Sequence, residues 1–439
     1  MMNSIVTKFG GSSLADAGQF SKVRDILQMD AARIYIIPSA PGRRFPKDDK
    51  ITDLLYRCHA QQSAGEDYQA TFALISDRYL TIARELSLQV DIASALEEVN
   101  RNIAAGAGAD YCASRGEYLC GMLLADYLGW QFVDSAEVIC FDEHGTFLSE
   151  ETNAAMAARL QDGAPSVIPG FYGALPDGTV HTFSRGGSDI TGAIVARAVN
   201  AEIYENWTDV SGFLMADPRV VENPREIRAL TYKELRELSY MGASVLHEDA
   251  MFPVHKAGIP TVIKNTNNPT HPGTIISVNL PTDPGVPTIT GIAGHKGFSV
   301  ISVEKAMMNT EIGFGRRLLK VLEDFNISFE HTPTGIDTMC VVVSGESLAP
   351  CREQVIARIM EDTEPDTLTI HDSMAIIATV GRGMVHNCGT AARLFSAMSQ
   401  AGVNVRMIDQ GSSELSIIVG VDDKDLETTV RAIYHAFVA

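Results

Sequence analysis

The amino-acid sequence predicts an α/β fold: a three-layer αβα sandwich followed by two smaller α+β modules. Three observations carry that expectation. Short apolar strands alternate with helical patterns from residue 1 to about 275, the grammar of a mostly parallel sheet covered on both faces. Residues 278–288 contain three prolines and read as a linker. Beyond them a strand–helix–strand–strand–helix pattern occurs twice, over residues 298–360 and again over 374–437, which marks a repeated small module.

At 439 residues the chain exceeds one ordinary domain. Its net charge of −20 and pI near 4.9 argue against nucleic acid or an anionic membrane as the main partner. A local Lys/Arg pocket can still take an anionic substrate. No apolar run approaches the ~20 residues of a membrane span, and no basic-then-apolar leader is present, so a cytoplasmic protein is expected. Seven cysteines are scattered without a C-x-x-C pair, as expected for reduced thiols. The eleven histidines show no H-x-x-x-H spacing, and no residue is assigned to a metal.

In chain order, Ile5 and Val6 end an apolar strand that runs into Lys8-Phe9-Gly10-Gly11-Ser12-Ser13. A helix follows, with Phe20, Val23, Ile26 and Leu27 on one face. A strand, a glycine turn and a helix start together point backbone N–H groups at an anion. Lys8 adds a full positive charge. An ordinary strand-to-helix turn with a solvated lysine has the same local pattern. The second strand, residues 33–37, enters Pro38-Ser39-Ala40-Pro41-Gly42, where α/β sheets place ligands. Ser39 is placed either to donate to a phosphate or carboxylate or to cap the next segment.

Residues 51–105 read as helical, and Gly106 and Gly108 break the pattern. Glu117 then falls in the first turn of another helix. It either complements the helix macrodipole or binds a substrate ammonium. Short strands are expected at 132–133, 138–139 and 166–169. The second strong signal is Ser184-Arg185-Gly186-Gly187-Ser188-Asp189, again at a helix start. Arginine beside two glycines is one way to grip a planar carboxylate. Residues 202–207 form a strand that enters Thr208 and Asp209. A turn follows at Asp217-Pro218-Arg219, then a helix from 231, and a last strand of the sandwich at 260–264.

With these residues in place, the whole chain resembles the aspartate kinases (aspartokinases) of the amino-acid-kinase superfamily, which carry tandem ACT domains at the C-terminus. The carriers are Lys8 to Ser13, Ser114-Arg115-Gly116-Glu117, Ser184 to Asp189, Trp207-Thr208-Asp209-Val210, Asp217-Pro218-Arg219 and the segment Val405 to Ser413. The resemblance implies an amino-acid-kinase catalytic domain over 1–280 and ferredoxin-like ACT domains over 290–365 and 370–439. It implies transfer of the γ-phosphoryl group of ATP, with Mg²⁺, to the β-carboxylate of L-aspartate. That is the first step towards lysine, threonine and methionine.

On this resemblance Lys8 and Asp189 are the catalytic pair, with Asp189 orienting Lys8. Ser39, Glu117, Arg185 and Gly186 bind aspartate. Lys8, Gly10, Gly11, Ser12, Thr208, Asp209, Arg219 and Lys264 line ATP. An amino-acid effector, lysine or threonine, would meet Met308, Asn309, Ile312, Gly313 and Thr332, and the chain would be a homo-oligomer through its ACT domains. The sequence departs from the family at Ser244, where a nucleotide-side lysine is usual, at Leu214 after Gly212-Phe213, and at Glu248 after His247. A kinase for glutamate or N-acetylglutamate is one rival reading. An amino-acid-sensing subunit without strong catalysis, supported by Ser244, is another.

Overall fold

The computed structural model describes residues 4–184, 186–242, 248–280, 287–385 and 387–438, with the backbone alone for 248 and 249. The first part runs β1 (Ile5–Phe9), α1 (Ala17–Gln28), β2 (Arg33–Pro38), α2 (Ile51–Ser63), α3 (Gln69–Glu85), α4 (Ile92–Ala104), α5 (Ala109–Leu128) and β3 (Gln131–Phe132). It continues through α6 (Ser149–Arg159), β4 (Ser166–Val167), β5 (Tyr172–Ala174), β6 (Val180–Thr182), α7 (Gly187–Ala198), β7 (Ile203–Thr208), β8 (Ala229–Thr231), α8 (Tyr232–Tyr240), α9 (Phe252–Ala257), β9 (Thr261–Asn265) and β10 (Thr274–Ser277).

Among the described residues these strands form an eight-stranded sheet of order β3-β4-β2-β1-β7-β9-β10-β8. Its centre is parallel: β1 pairs with β2 and β7, and β7 with β9. Four carboxyl ends therefore open on one edge, where a doubly covered sheet presents its ligand site. Local chemistry sets the flanking helices. Asp16 caps α1 by accepting from the Gln19 N–H, and Phe20, Val23, Ile26 and Leu27 are buried as the helical spacing predicts.

Three expectations about this part change. Residues 138–139 form no strand: Ser135–Glu137 is a 3₁₀ turn and Cys140 makes an isolated bridge to Ala174. The hairpin β5–β6 occupies a stretch to which the sequence assigned no element. The strand at 261–265 is not the last, because β10 returns antiparallel to it and also pairs with β8. These strands have two to four residues, too short for alternation to register.

The second part runs β11 (Gly291–Glu304), α10 (Phe314–Asp324), β12 (Phe329–His331), β13 (Thr338–Ser344), α11 (Gly345–Leu348), α12 (Arg352–Thr363), β14 (Thr367–Val380), α13 (Thr390–Gln400), β15 (Met407–Asp409), β16 (Ser416–Asp422) and α14 (Leu426–Val438). Among the described residues its sheet has the order β12-β13-β11-β14-β16-β15. The two long strands serve two modules. Phe298–Glu304 pairs with β13, whereas Gly291–His295 pairs with the Ile376–Val380 end of β14, which in turn pairs with β16.

One βαββαβ module thus runs from Phe298 through α10, β12, β13 and α12 to His371. The other uses Met374–Val380, α13, β15, β16 and α14, and takes its remaining strand from Gly291–His295. The first module is inserted between strands of the second. That differs from the side-by-side division at 290–365 and 370–439, because antiparallel pairing along the full length of β11 and β14 is non-local.

The chain divides into two compact units. The first is Met1–Phe213, Arg228–Tyr232 and Val245–Leu280, and the second is Leu214–Ile227, Lys233–Ser244 and Pro281–Ala439. The boundary expected at 280 is therefore incomplete, since two excursions between β7 and β9 belong with the second unit. Buried bonds explain this. Glu234, fully buried, accepts from Thr290 Oγ1 at 2.6 Å and from Arg382 Nη1 at 3.0 Å. The Ile292 N–H donates to the Met215 carbonyl at 2.7 Å.

Candidate active site

The site is built on the carboxyl ends of β1, β2, β7 and β9 in the first unit. Lys8 lies near the end of β1 opposite Asn206 of β7, and α7 starts at Gly186 with Asp189 in its first turn. The Lys8 ammonium is 2.6 Å from Asp189 Oδ1, with both side chains largely buried. Asn206 Nδ2 donates to the same oxygen at 2.8 Å. The carboxylate is thus held from two directions and anchors the ammonium at the strand ends. Asn206 went unassigned in the sequence; its signal is a buried polar residue beside Glu205 in an otherwise apolar strand.

The glycine turn is organised by its own carbonyls. The Ser13 N–H donates to the Gly10 carbonyl at 2.9 Å, and the Gly42 N–H donates to the Gly11 carbonyl at 2.8 Å. A Cβ on Gly11 would lie 2.7 Å from the Ala40 oxygen, so this crossing of two loops requires glycine. The Gly10 N–H donates to the Trp207 carbonyl at 3.0 Å. This corrects the expected phosphate role of that N–H, which instead closes the β1–β7 ladder. Among the described residues the N–H groups of Gly11 and Ser12 have no such partner, and they head the turn as its open donors.

Ser39 is seated by its own N–H on the Phe9 carbonyl at 3.0 Å, beside the turn. Glu117 lies in the middle of α5 rather than in its first turn, because the helix already begins at Ala109, and it is 5 % exposed. Burial pushes its carboxyl up to about 7, against the lowering effect of the Ala40 N–H, its own N–H and the positive charges of Lys8 and Arg115. Its Oε2 is buried without a hydrogen-bond partner. A buried carboxyl oxygen without a partner is a group that an incoming ammonium can satisfy. Gly186 takes φ +59°, the left-handed conformation that turns the chain into α7. Arg185, expected to grip the α-carboxylate, lies outside the described residues, as do Ser244 and His247.

The nucleotide-side residues divide. The Thr208 carbonyl accepts from the Thr266 N–H at 2.9 Å, and its hydroxyl bonds Asp209 at 3.2 Å. Ser13 and Thr266 hydroxyls meet at 2.7 Å, so the loops after β1, β7 and β9 converge. Lys264 is a correction. Side chains alternate along a strand, and the register places Lys264 beside Trp207 and Phe9, on the face opposite Lys8 and Asn206. Its ammonium lies 5.2 Å from the Trp207 ring centre. Arg219 belongs to the second unit, 88 % exposed in its side chain and paired with Asp217 at 2.6 Å.

In the second unit Ile312 is 98 % exposed, Gly313 starts α10 with φ +85°, and the Asn309 N–H donates to the Ile336 carbonyl at 3.1 Å. Met308 is a correction: it is buried in the core beside Ile301, Phe314 and Leu318, where its apolar thioether belongs. Thr332 follows His331, whose Nδ1 lies 2.8 Å from Asp409 Oδ2, linking the two edge strands of the sheet.

Among the described residues no cluster of three or more His, Cys, Asp or Glu groups is arranged to hold a metal ion. Nor is any helix long and apolar enough to cross a membrane.

Known proteins share this architecture. The model of the amino acid kinase family matches residues 3–265, and an ACT domain model matches residues 377–437. The class is therefore an amino acid kinase joined to an ACT-bearing part. Aspartokinase 3 of Bacillus subtilis (strain 168) is 40% identical over 451 residues, covering 99% of this chain and 98% of that relative. The crystal structure of Clostridium acetobutylicum aspartate kinase, described as an allosteric enzyme, matches with a TM-score of 0.90 at 52% identity, over 99% of this chain and 100% of that one. E. coli aspartokinase III, in its complex with aspartate and ADP, shares the fold with a TM-score of 0.78 at 23% identity, over 99% of this chain and 100% of that one. The chain belongs to the aspartokinase family.

Proposed function

We propose that this site transfers the γ-phosphoryl group of ATP to the β-carboxylate of L-aspartate, forming 4-phospho-L-aspartate. The observation that carries the reading is the Lys8–Asp189 pair beside the open N–H groups of Gly11 and Ser12, with the unpartnered Glu117 oxygen nearby in the same unit. Phosphoryl transfer needs positioning and charge neutralisation more than covalent help. Lys8 and the two N–H groups neutralise the migrating phosphoryl group. Asp189 and Asn206 hold Lys8 in place. Glu117 receives the aspartate ammonium, Arg185 its α-carboxylate, and Ser39 the reacting end. The acceptor carboxylate is ionised at neutral pH, so no general base is required.

Mg²⁺ fits as an ion carried by the ATP phosphates and water, since the donor set here is a lysine, N–H groups and single carboxylates. Bound there, it would neutralise phosphate charge. The acidic composition is in keeping with a cytoplasmic enzyme of amino-acid biosynthesis. The repeated modules support feedback control by lysine or threonine at the seam around Asn309, Ile312, Gly313 and Thr332, where His331 Nε2 is buried without a partner. The exposed Ile312, Met307 and Phe329 support self-association through the same part.

The deciding experiment is a hydroxylamine-trapping assay with MgATP and aspartate, repeated with glutamate, N-acetylglutamate, lysine and threonine. Acyl phosphate formed on aspartate alone, and suppressed by lysine or threonine, is expected. Turnover of glutamate in preference would overturn the substrate assignment, and no turnover of any carboxylate would favour a sensing subunit.

A further inference from the structure

Arg78 lies on α3, in none of the segments that mark the family, yet its side chain is only 5 % exposed. Its Nη1 donates to the Gly42 carbonyl at 2.9 Å and lies 3.4 Å from the Ala15 carbonyl. Nη2 donates to Asp48 Oδ2 at 2.7 Å. Asp48 is itself gripped by the Arg44 fork, at 2.8 Å to Nε and 3.0 Å to Nη2, and by the Arg44 N–H at 3.0 Å. One buried guanidinium thus joins the end of the glycine turn, through Ala15, to the Ser39–Gly42 loop and to the ion pair that closes that loop.

Peptide geometry connects this to the phosphate. In a trans peptide the C=O and N–H point in opposite directions. The Gly11 carbonyl is taken by the Gly42 N–H, so the Ser12 N–H must point away from Gly42. The Gly10 carbonyl is taken by the Ser13 N–H, which likewise aims the Gly11 N–H. The direction of the open Ser12 donor depends on where Gly42 sits, and Arg78 holds the Gly42 carbonyl.

We infer that Arg78 is a positioning residue of the phosphate site: acting through Gly42 and Asp48, it aims the Ser12 N–H at the transferred phosphoryl group. The inference rests on the phosphoryl-transfer reading of the site. Its effect is expected on the nucleotide side. A neutral side chain at this position would leave the two carbonyls without their shared donor, whereas in the same loop Ser39 keeps its bond to the Phe9 carbonyl and Ala40 its bond to Glu117, so the aspartate side loses less.

The test is steady-state kinetics of the full chain with Arg78→Met and Arg78→Lys, together with calorimetry of a non-hydrolysable MgATP analogue. Arg78→Met should lower kcat/KM for ATP at least tenfold with the KM for aspartate within about twofold. Arg78→Lys, which keeps a donor, should recover most of the loss. Should Arg78→Met not fold, Asp48→Asn decides, with an expected loss of about threefold or more in kcat/KM for ATP.

A folded Arg78→Met, or failing that Asp48→Asn, with ATP parameters within twofold of the parent overturns the inference. So does an equal loss for ATP and aspartate. If the parent chain phosphorylates no carboxylate, the functional reading fails, and the calorimetric comparison alone still judges Arg78. Analogue affinity at least tenfold weaker in Arg78→Met supports the inference, and unchanged affinity overturns it.

Discussion

Lys8 is where local pattern and the proposed function meet most directly. Its charge could be read from the chain, but its partner could not, because Asp189 and Asn206 arrive from elements far along the sequence. Replacing Lys8 with Ala removes a full positive charge beside the open turn and leaves Asp189 without its ammonium partner. A fall in kcat of at least about 10²-fold is expected, judged against single oxyanion donors; single-turnover phosphoryl transfer checks it.

Glu117 makes a pH-dependent prediction. Its carboxyl is raised to about 7 by burial, and only the ionised form accepts an ammonium. In the free enzyme, kcat/KM for aspartate should therefore climb as pH rises through about 7 and level off above it. Glu117→Gln should abolish that limb and raise the KM for aspartate. The stability sign runs the other way. The folded state binds the extra proton between about 4.5 and 7, so this group's contribution to stability declines as pH rises across that window.

At the next level, the loops of the candidate site owe their shape to one close crossing. A Cβ on Gly42 would fall 2.6 Å from the Gly11 carbonyl carbon and 2.8 Å from the Ser12 nitrogen, both backbone atoms. Gly42→Ala should cost about 1–3 kcal/mol in stability, seen as a lower denaturation midpoint, and should weaken ATP more than aspartate. The strand β7 plays a comparable part beneath the site. Glu205 is buried and takes the Arg33 guanidinium at 2.8 and 3.0 Å and the Trp207 indole N–H at 2.9 Å, which fixes the strand whose Trp207 carbonyl captures Gly10. Glycine pairs, apolar strands and helix starts were legible in the chain because each is a local signal. The Gly11–Gly42 crossing was not, since it requires two loops to meet.

For the molecule as a unit-built whole, the excursions 214–227 and 233–244 matter most. They fall between kinase strands in sequence, yet are compact with the modules beyond 281. Truncation at 280 would strip Glu234 of Thr290 and Arg382, so the shortened chain is expected to lose stability rather than simply to lose feedback. Glu234→Ala in the full chain should destabilise the second unit by about 3–5 kcal/mol, the usual cost of breaking a buried pair; thermal unfolding followed by calorimetry measures it. The inserted module has the same origin. Repetition was visible in the sequence, whereas the sharing of β11 and β14 between modules was not, because strand partners are chosen over long separations.

From the residue order alone came the strand–helix alternation, the two glycine turns, the repeat and the family resemblance, since propensity, periodicity and short motifs all act over a few neighbours. Chain folding in three dimensions decided the rest. It gave the Gly10 N–H to Trp207, put Lys264 on the far face of the sheet from Lys8, buried Met308, left a Glu117 oxygen without a partner, and brought Arg78 onto the Ala15 and Gly42 carbonyls. Each depends on which distant backbone or side chain occupies the adjoining space, and only packing and long-range hydrogen bonding set that.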